Sequence, residues 1–198
     1  STDVGGLTRL DDRAIDESFS PTEYLIDYPG MPTALFDGGL TLQGDVTLGT
    51  GLYIVDGGTL KINANSVITG VGVSFYLMNG AKLDVAGGAE LDVQAYDPAN
   101  PSTRPDPFAG ILFFADRTGS SVSHSLSGNS DSDTNGVVYF PNDQLTYTGN
   151  SGSSYPCIKV IASQLEVTGS GTVTIGCDPS LPTGAPSFES ALRVKLVE

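Results

Sequence analysis

The segment LTLQGDVTLGTGLYIVDGGTLKI, residues 40–62, opens and closes on one small phrase: an apolar residue, a polar one and a second apolar one. Leu40-Thr-Leu42 returns as Leu60-Lys-Ile62, then as Leu83-Asp-Val85, Leu126-Ser-Gly128, Leu145-Thr-Tyr147 and Leu165-Glu-Val167. The steps between first residues are 20, 23, 43, 19 and 20. The long step equals two ordinary ones and contains the polar, proline-rich run from Tyr96 to Pro107, which is unsuited to a central strand. A second class of unit follows the first: Val46-Thr-Leu48, Val67-Ile-Thr69, Leu91-Asp-Val93 and Val173-Thr-Ile175. A third completes the cycle: Leu52-Tyr-Ile54, Val73-Ser-Phe75, Ile111-Leu-Phe113, Val137-Val-Tyr139 and Ile158-Lys-Val160.

Alternation within a unit puts its outer two side chains on one face of a strand. Strands this short gain stability by stacking each on its predecessor. Three classes in fixed order therefore predict an all-β chain folded as a right-handed parallel β-helix, a β-solenoid, of roughly six coils. Gly44, Gly57-Gly58, Gly87-Gly88, Gly128-Asn129, Gly149-Asn150 and Gly169 fall at the ends of units or just outside them, where corners need positive φ. A β-sandwich or jelly roll also uses short strands and glycine turns, but has no reason to keep such a period. The expected boundaries are a cap or extension over 1–36, the solenoid over 37–177, and a linker with a final strand over 178–198. The expected interior row is Leu60, Ile62, Leu83, Val85, Leu145, Tyr147, Leu165 and Val167.

The 198 residues include 25 glycines and 12 prolines, yet 39% are hydrophobic, so the glycines punctuate a core-forming chain. With 23 acidic against 9 basic residues the formal charge is −14. No basic patch exists to neutralise a row of phosphates, so nucleic-acid binding is not expected. An anionic membrane would repel the chain, and no run of 18 apolar residues spans a bilayer. Ser1 opens the chain with no methionine and no apolar leader, which reads as a protein relieved of its targeting segment.

Reactive groups are sparse. The single histidine, His124, reads as a solvated turn residue, and neither cysteine has a partner at zinc-site spacing. A Gly-x-Ser-x-Gly elbow is missing, which argues against a serine hydrolase. Parallel β-helices also serve as polysaccharide lyases and hydrolases, and such an enzyme stands as the alternative reading. It needs two facing carboxyls, whereas Asp84, Asp92 and Glu166 take outward positions on different faces. Asp116-Arg117 reads as a surface ion pair. Asp131-Ser-Asp133-Thr-Asn135-Gly136 matches the first half of a calcium loop. Asn142 stands where a bidentate glutamate belongs, so Asp131, Asp133 and Asn135 predict at most a Kd of about 10⁻⁴–10⁻³ M. No other cofactor is expected.

The stretch from Gly51 to Cys177 resembles the C-terminal region of the TadG-like proteins of tight-adherence (Flp) pilus assembly. Carrying the resemblance are Gly51-Leu-Tyr-Ile-Val55, Gly70-Val-Gly-Val-Ser-Phe-Tyr-Leu-Met-Asn-Gly80 and Ala109-Gly-Ile-Leu-Phe-Phe-Ala-Asp-Arg117. Gly136-Val-Val-Tyr-Phe-Pro141, Leu145-Thr-Tyr-Thr-Gly-Asn150, Cys157 with Cys177, and the closing Leu192-Arg-Val-Lys-Leu-Val197 continue it. The resemblance implies a periplasmic or extracellular protein of the bacterial envelope. It would touch the membrane only through an upstream anchor, and its partners would be proteins of the pilus apparatus. The Asp-x-Ser-x-Ser metal motif of family members with a von Willebrand-type domain is absent here, and the resemblance brings no catalytic residues. Bactofilin-like polymerising scaffolds are a further non-enzymatic alternative, although they are cytosolic and have no use for a disulfide. The oligomeric state is left open.

The repeat itself predicts a disulfide. Cys157 immediately precedes the third-class unit Ile158-Lys-Val160, and Cys177 follows the second-class unit Val173-Thr-Ile175, so both fall at one corner, a coil apart. Neighbouring coils lie about 4.8 Å apart, within the Cα separation of about 4.4–6.8 Å that a disulfide needs.

Overall fold

The computed structural model describes residues 6–25, 28–96, 108–127, 132–149 and 157–169. Twelve strands and no helix are found among them. They are β1 (Arg9–Ile15), β2 (Glu23–Leu25), β3 (Tyr28–Leu42), β4 (Asp45–Leu48), β5 (Gly51–Ile62) and β6 (Val67–Met78), followed by β7 (Lys82–Val85), β8 (Glu90–Ala95), β9 (Ile111–Ala115), β10 (Ser123–Ser127), β11 (Asn135–Gly149) and β12 (Cys157–Gly169). Apart from the antiparallel β2–β3 hairpin, all pairings are parallel and join successive coils. The chain is a β-solenoid of about six turns.

Three ladders run along the stack. The first joins β1, β3, β5, β7, β10, β11 and β12, and the third joins β1, β3, β5, β6, β9, β11 and β12. The second joins β4, β6 and β8, with Phe19 bridged to Leu48 at its start. The long strands β3, β5, β11 and β12 bend at a corner and so serve two ladders each. At one such corner Gly58 takes φ +66, and a methyl on it would overlap the Gly38 carbonyl of the coil below. Only glycine fits such a stacked corner.

The first ladder follows the expected repeat over most of its length. Leu40, Leu60 and Leu83 are in register, as are Leu42, Ile62 and Val85, and all are buried. Leu145 and Tyr147 join the same row, but Leu165 and Val167 do not belong to the interior, being 50% and 54% exposed. They are in register with Leu145 and Tyr147, yet β12 is the last described rung and no described residue stacks over it.

The other ladders correct the sequence reading in register. Val46 pairs with Ile68 and Leu48 with Gly70, so the second-class unit is Ile68-Thr-Gly70, one residue later than expected. In the third ladder Tyr53 pairs with Phe75, and Tyr53, Val55, Phe75 and Leu77 face the core. Leu52 and Ile54, expected inside, join a second cluster with Leu25, Met31, Leu35, Tyr76 and Phe108. Both faces of this ladder are covered, so its strands read as continuous apolar runs and alternation loses its meaning. Within the core, Phe19, Phe36, Tyr53, Phe75 and Phe113 form an aromatic file, ending in a stacked Phe75–Phe113 pair with centroids 5.3 Å apart. Each such contact adds about 0.5–1.5 kcal/mol beyond burial.

The segment assigned above to an N-terminal cap supplies a hairpin over the outer face of the third ladder and, in β1, a rung that continues both long ladders. Residues 178–198 lie outside the described residues.

Candidate functional site

Among the described residues of the first ladder, one buried inward position is polar. His124 of β10 pairs with Leu145, and Leu126 pairs with Tyr147 and Val85. The first-class unit of this coil is therefore His124-Ser-Leu126, two residues earlier than Leu126-Ser-Gly128. His124 is 1% exposed, which overturns its reading as a solvated turn residue.

The geometry shows how an imidazole replaces a leucine there. β10 pairs with β7 only at Ser125–Asp84 and Leu126–Val85. Where the two strands part, the Leu83 N–H donates to His124 Nδ1 at 3.0 Å. A buried backbone donor must find an acceptor, and a ring nitrogen supplies it. An accepting Nδ1 places the proton on Nε2, which donates to Asp143 Oδ2 at 3.1 Å. Asp143, 4% exposed, also accepts the Val122 N–H on Oδ1 at 3.0 Å. The ring lies on Phe140, with centroids 4.0 Å apart. Burial pushes the His124 pKa down, partly opposed by Asp143, while the charge of Lys82 lowers it further. His124 is thus a neutral tautomer tying three coils together. Asp143 also borders a shallow depression with Leu77, Ala81, Asp116, Ser120 and Val122.

A second polar splice lies on the second ladder. The Leu91 N–H donates to Ser132 Oγ at 3.1 Å, and Thr134 Oγ1 donates to the Leu91 carbonyl at 2.8 Å. Two side chains here take over the hydrogen bonds of a missing strand. This splice lies within the predicted calcium motif. Asp131 is outside the described residues, Asp133 is exposed between the two buried hydroxyl residues, and Asn135 opens β11, in register with Gln94 and Cys157. Among the described residues no three His, Cys, Asp or Glu side chains come together as metal ligands. Of the predicted disulfide, Cys157 begins β12, while Cys177 lies outside the described residues.

Asp84 and Asp92 are exposed on β7 and β8, in different ladders, whereas Glu166, expected on another face, stands in the outward row of Asp84 with Ser125 and Thr146 between them. The expected ion pair of Asp116 with Arg117 gives way to other contacts. Asp116 accepts from the Thr118 N–H and hydroxyl at 3.0 and 2.7 Å, while Arg117 donates to the Tyr139 hydroxyl and lies over its ring. Sequence reasoning missed His124, although His124-Ser-Leu126 has the alternation of a first-class unit. It also missed Arg9, which bridges Asp37 at 3.0 Å and Asp56 at 2.7 Å. These three residues lie on neighbouring rungs, which no single strand reveals.

The fold and the buried splices define a β-solenoid whose polar interior groups hold its coils together. No family model, curated protein or solved structure matches the chain.

Proposed function

We propose that this chain is a non-catalytic structural and interaction module, working with protein partners in a bacterial envelope or pilus-assembly system. The observation that carries the first part is the engagement of both His124 nitrogens and both Asp143 oxygens in coil-to-coil hydrogen bonds. A general base needs a free lone pair at the reacting atom, whereas these groups act as fasteners. The outward row of the first ladder, Thr41, Lys61, Asp84, Ser125, Thr146 and Glu166, mixes both signs with neutral hydroxyls on a rigid face. The envelope assignment rests on the sequence phrases shared with TadG-like proteins.

The test pairs affinity capture from a bacterial envelope extract with a reducing-end assay on acidic and neutral polysaccharides. Retention of pilus-assembly proteins with no new reducing ends is the expected result. Depolymerisation that disappears in Asp84→Asn or Asp92→Asn would overturn the proposal in favour of a carbohydrate-active enzyme.

A further inference from the structure

One joint in the stack, between the coil of β7 and β8 and the coil of β10 and β11, is held largely by side chains. On the first ladder β7 pairs with β5 below at four positions, but with β10 above only at Asp84–Ser125 and Val85–Leu126. On the second ladder β8 pairs with β6 at six positions and, among the described residues, with β11 only at Gln94–Asn135. At each gap side chains take the place of a strand. His124 accepts the Leu83 N–H, while Ser132 and Thr134 hold both backbone groups of Leu91. The third ladder crosses the same joint through backbone. Ile111, Phe113 and Phe114 pair there with Val137, Val138 and Tyr139. The Val137 N–H donates to the Gly110 carbonyl at 2.9 Å, and the Phe114 and Tyr139 rings stack.

Of these fasteners only the imidazole titrates near neutral pH. The Leu83 N–H needs an unprotonated Nδ1, whereas an imidazolium carries N–H groups on both ring nitrogens. A second proton on the closed ring would set donor against donor across 3.0 Å. The surrounding charges do not remove this conflict. Burial is the largest influence and disfavours the cation, Asp143 of β11 favours it, and Lys82 of β7 opposes it. Asp116 borders the same depression as Asp143, but its carboxylate is taken by Thr118, and Arg117 turns to Tyr139. Asp84 is exposed on the outward side of β7, and Tyr147 of β11 stays neutral because burial raises its pKa. His124 is fixed to the upper side of the joint, since β10 pairs with β11 at five positions and Asp143 also holds the Val122 N–H. The ring therefore leaves with β11 when the joint opens, and there it meets water. We propose that this joint is an acid-operated hinge: protonation of His124 parts Leu83 from His124 and Leu91 from Ser132, while the third ladder keeps the two halves of the stack joined. This inference is independent of the functional proposal.

Hydrogen exchange of the whole chain tests it, read amide by amide by NMR between about pH 7.5 and 5.5 and corrected for the intrinsic rate. An opened ring titrates at its ordinary pKa of about 6.5, so the open population should rise about tenfold over this range. The Leu83 and Leu91 amides should together lose about tenfold in protection, and Val137 should stay more protected than both at every pH. In His124→Gln, whose side-chain oxygen can accept the Leu83 N–H without titrating, the response should vanish. Protection of Leu83 and Leu91 that is constant with pH, that equals that of Val137, or that falls equally in His124→Gln would overturn the proposal. Should the variant fail to fold, the nitrogen NMR shifts of the wild-type ring decide. Loss of Leu83 protection while the closed ring keeps its Nε2–H tautomer supports the hinge, and titration of the ring with Leu83 still protected overturns it.

Discussion

The Leu83 backbone N–H points at Nδ1 of His124, 3.0 Å away on the next coil, so an imidazole stands where a strand carbonyl would continue the ladder. Removing the ring strands that donor and takes from Asp143 one of its two hydrogen bonds. A buried unsatisfied donor costs about 1–3 kcal/mol, and more where a charged group loses its partner. Urea unfolding of His124→Leu should therefore show a loss of about 2–4 kcal/mol, although leucine is the residue found at this position of the ladder on five other rungs. A variant as stable as the wild type would show that the ring is merely tolerated there.

Stability should also fall in mild acid. His124 titrates below its ordinary value because burial disfavours the imidazolium. The unfolded chain then takes up a proton near pH 6.5 while the native state does not. The contribution of the neutral ring is complete above that pH and is lost as pH falls through it, by up to about 1.4 kcal/mol per pH unit. His124 is the only histidine, so the difference in urea midpoint between wild type and His124→Gln, followed from pH 7.5 to 5.5, isolates the effect. A constant difference would rule it out.

Glycine corners give a sharper contrast. Gly57 has φ +73 with open space around its Cα, whereas Gly58 has φ +66 and faces the Gly38 carbonyl. Gly57→Ala should cost about 1–2 kcal/mol for the backbone alone. Gly58→Ala should cost more, on the order of 2–4 kcal/mol, because the coils must also separate. Equal losses, measured by urea unfolding, would remove coil stacking as the cause.

What the sequence disclosed depended on which faces were buried. The first ladder has one face in the core and one in water, so Leu60-Lys-Ile62 and Leu83-Asp-Val85 displayed both their strand and its register. The third ladder is buried on both sides, so Leu52 and Ile54 looked like core residues while Tyr53 and Val55 filled that role. His124 was hidden for another reason. Its inward place depends on Leu83 and Asp143, 41 and 19 residues away, supplying hydrogen-bond partners that no local pattern announces.

The repeat also assigns Cys157 and Cys177 to one corner in adjacent coils, and Cys157 is in register with Asn135 on the rung before it. Alkylation without reductant, followed by intact mass, should leave both cysteines unmodified. Closing a loop of this size stabilises by about 3 kcal/mol in the chain-entropy model, so reductant should lower the urea midpoint. Two alkylated cysteines would contradict the bridge and remove the main argument for an oxidising compartment.

The central claim is that residues far apart in sequence stand on consecutive rungs. Thr41, Lys61, Asp84, Ser125, Thr146 and Glu166 should form one straight outward row. Neighbouring rungs are about 4.8 Å apart, so Thr41 and Thr146 should lie about 19 Å apart and Thr41 and Glu166 about 24 Å. Pulsed electron paramagnetic resonance can measure both pairs, using nitroxides on unnatural ketone side chains that leave Cys157 and Cys177 untouched. The account predicts two narrow distributions whose means differ by one rung. Broad distributions, or a Thr41–Glu166 distance no longer than that of Thr41–Thr146, would contradict the stack.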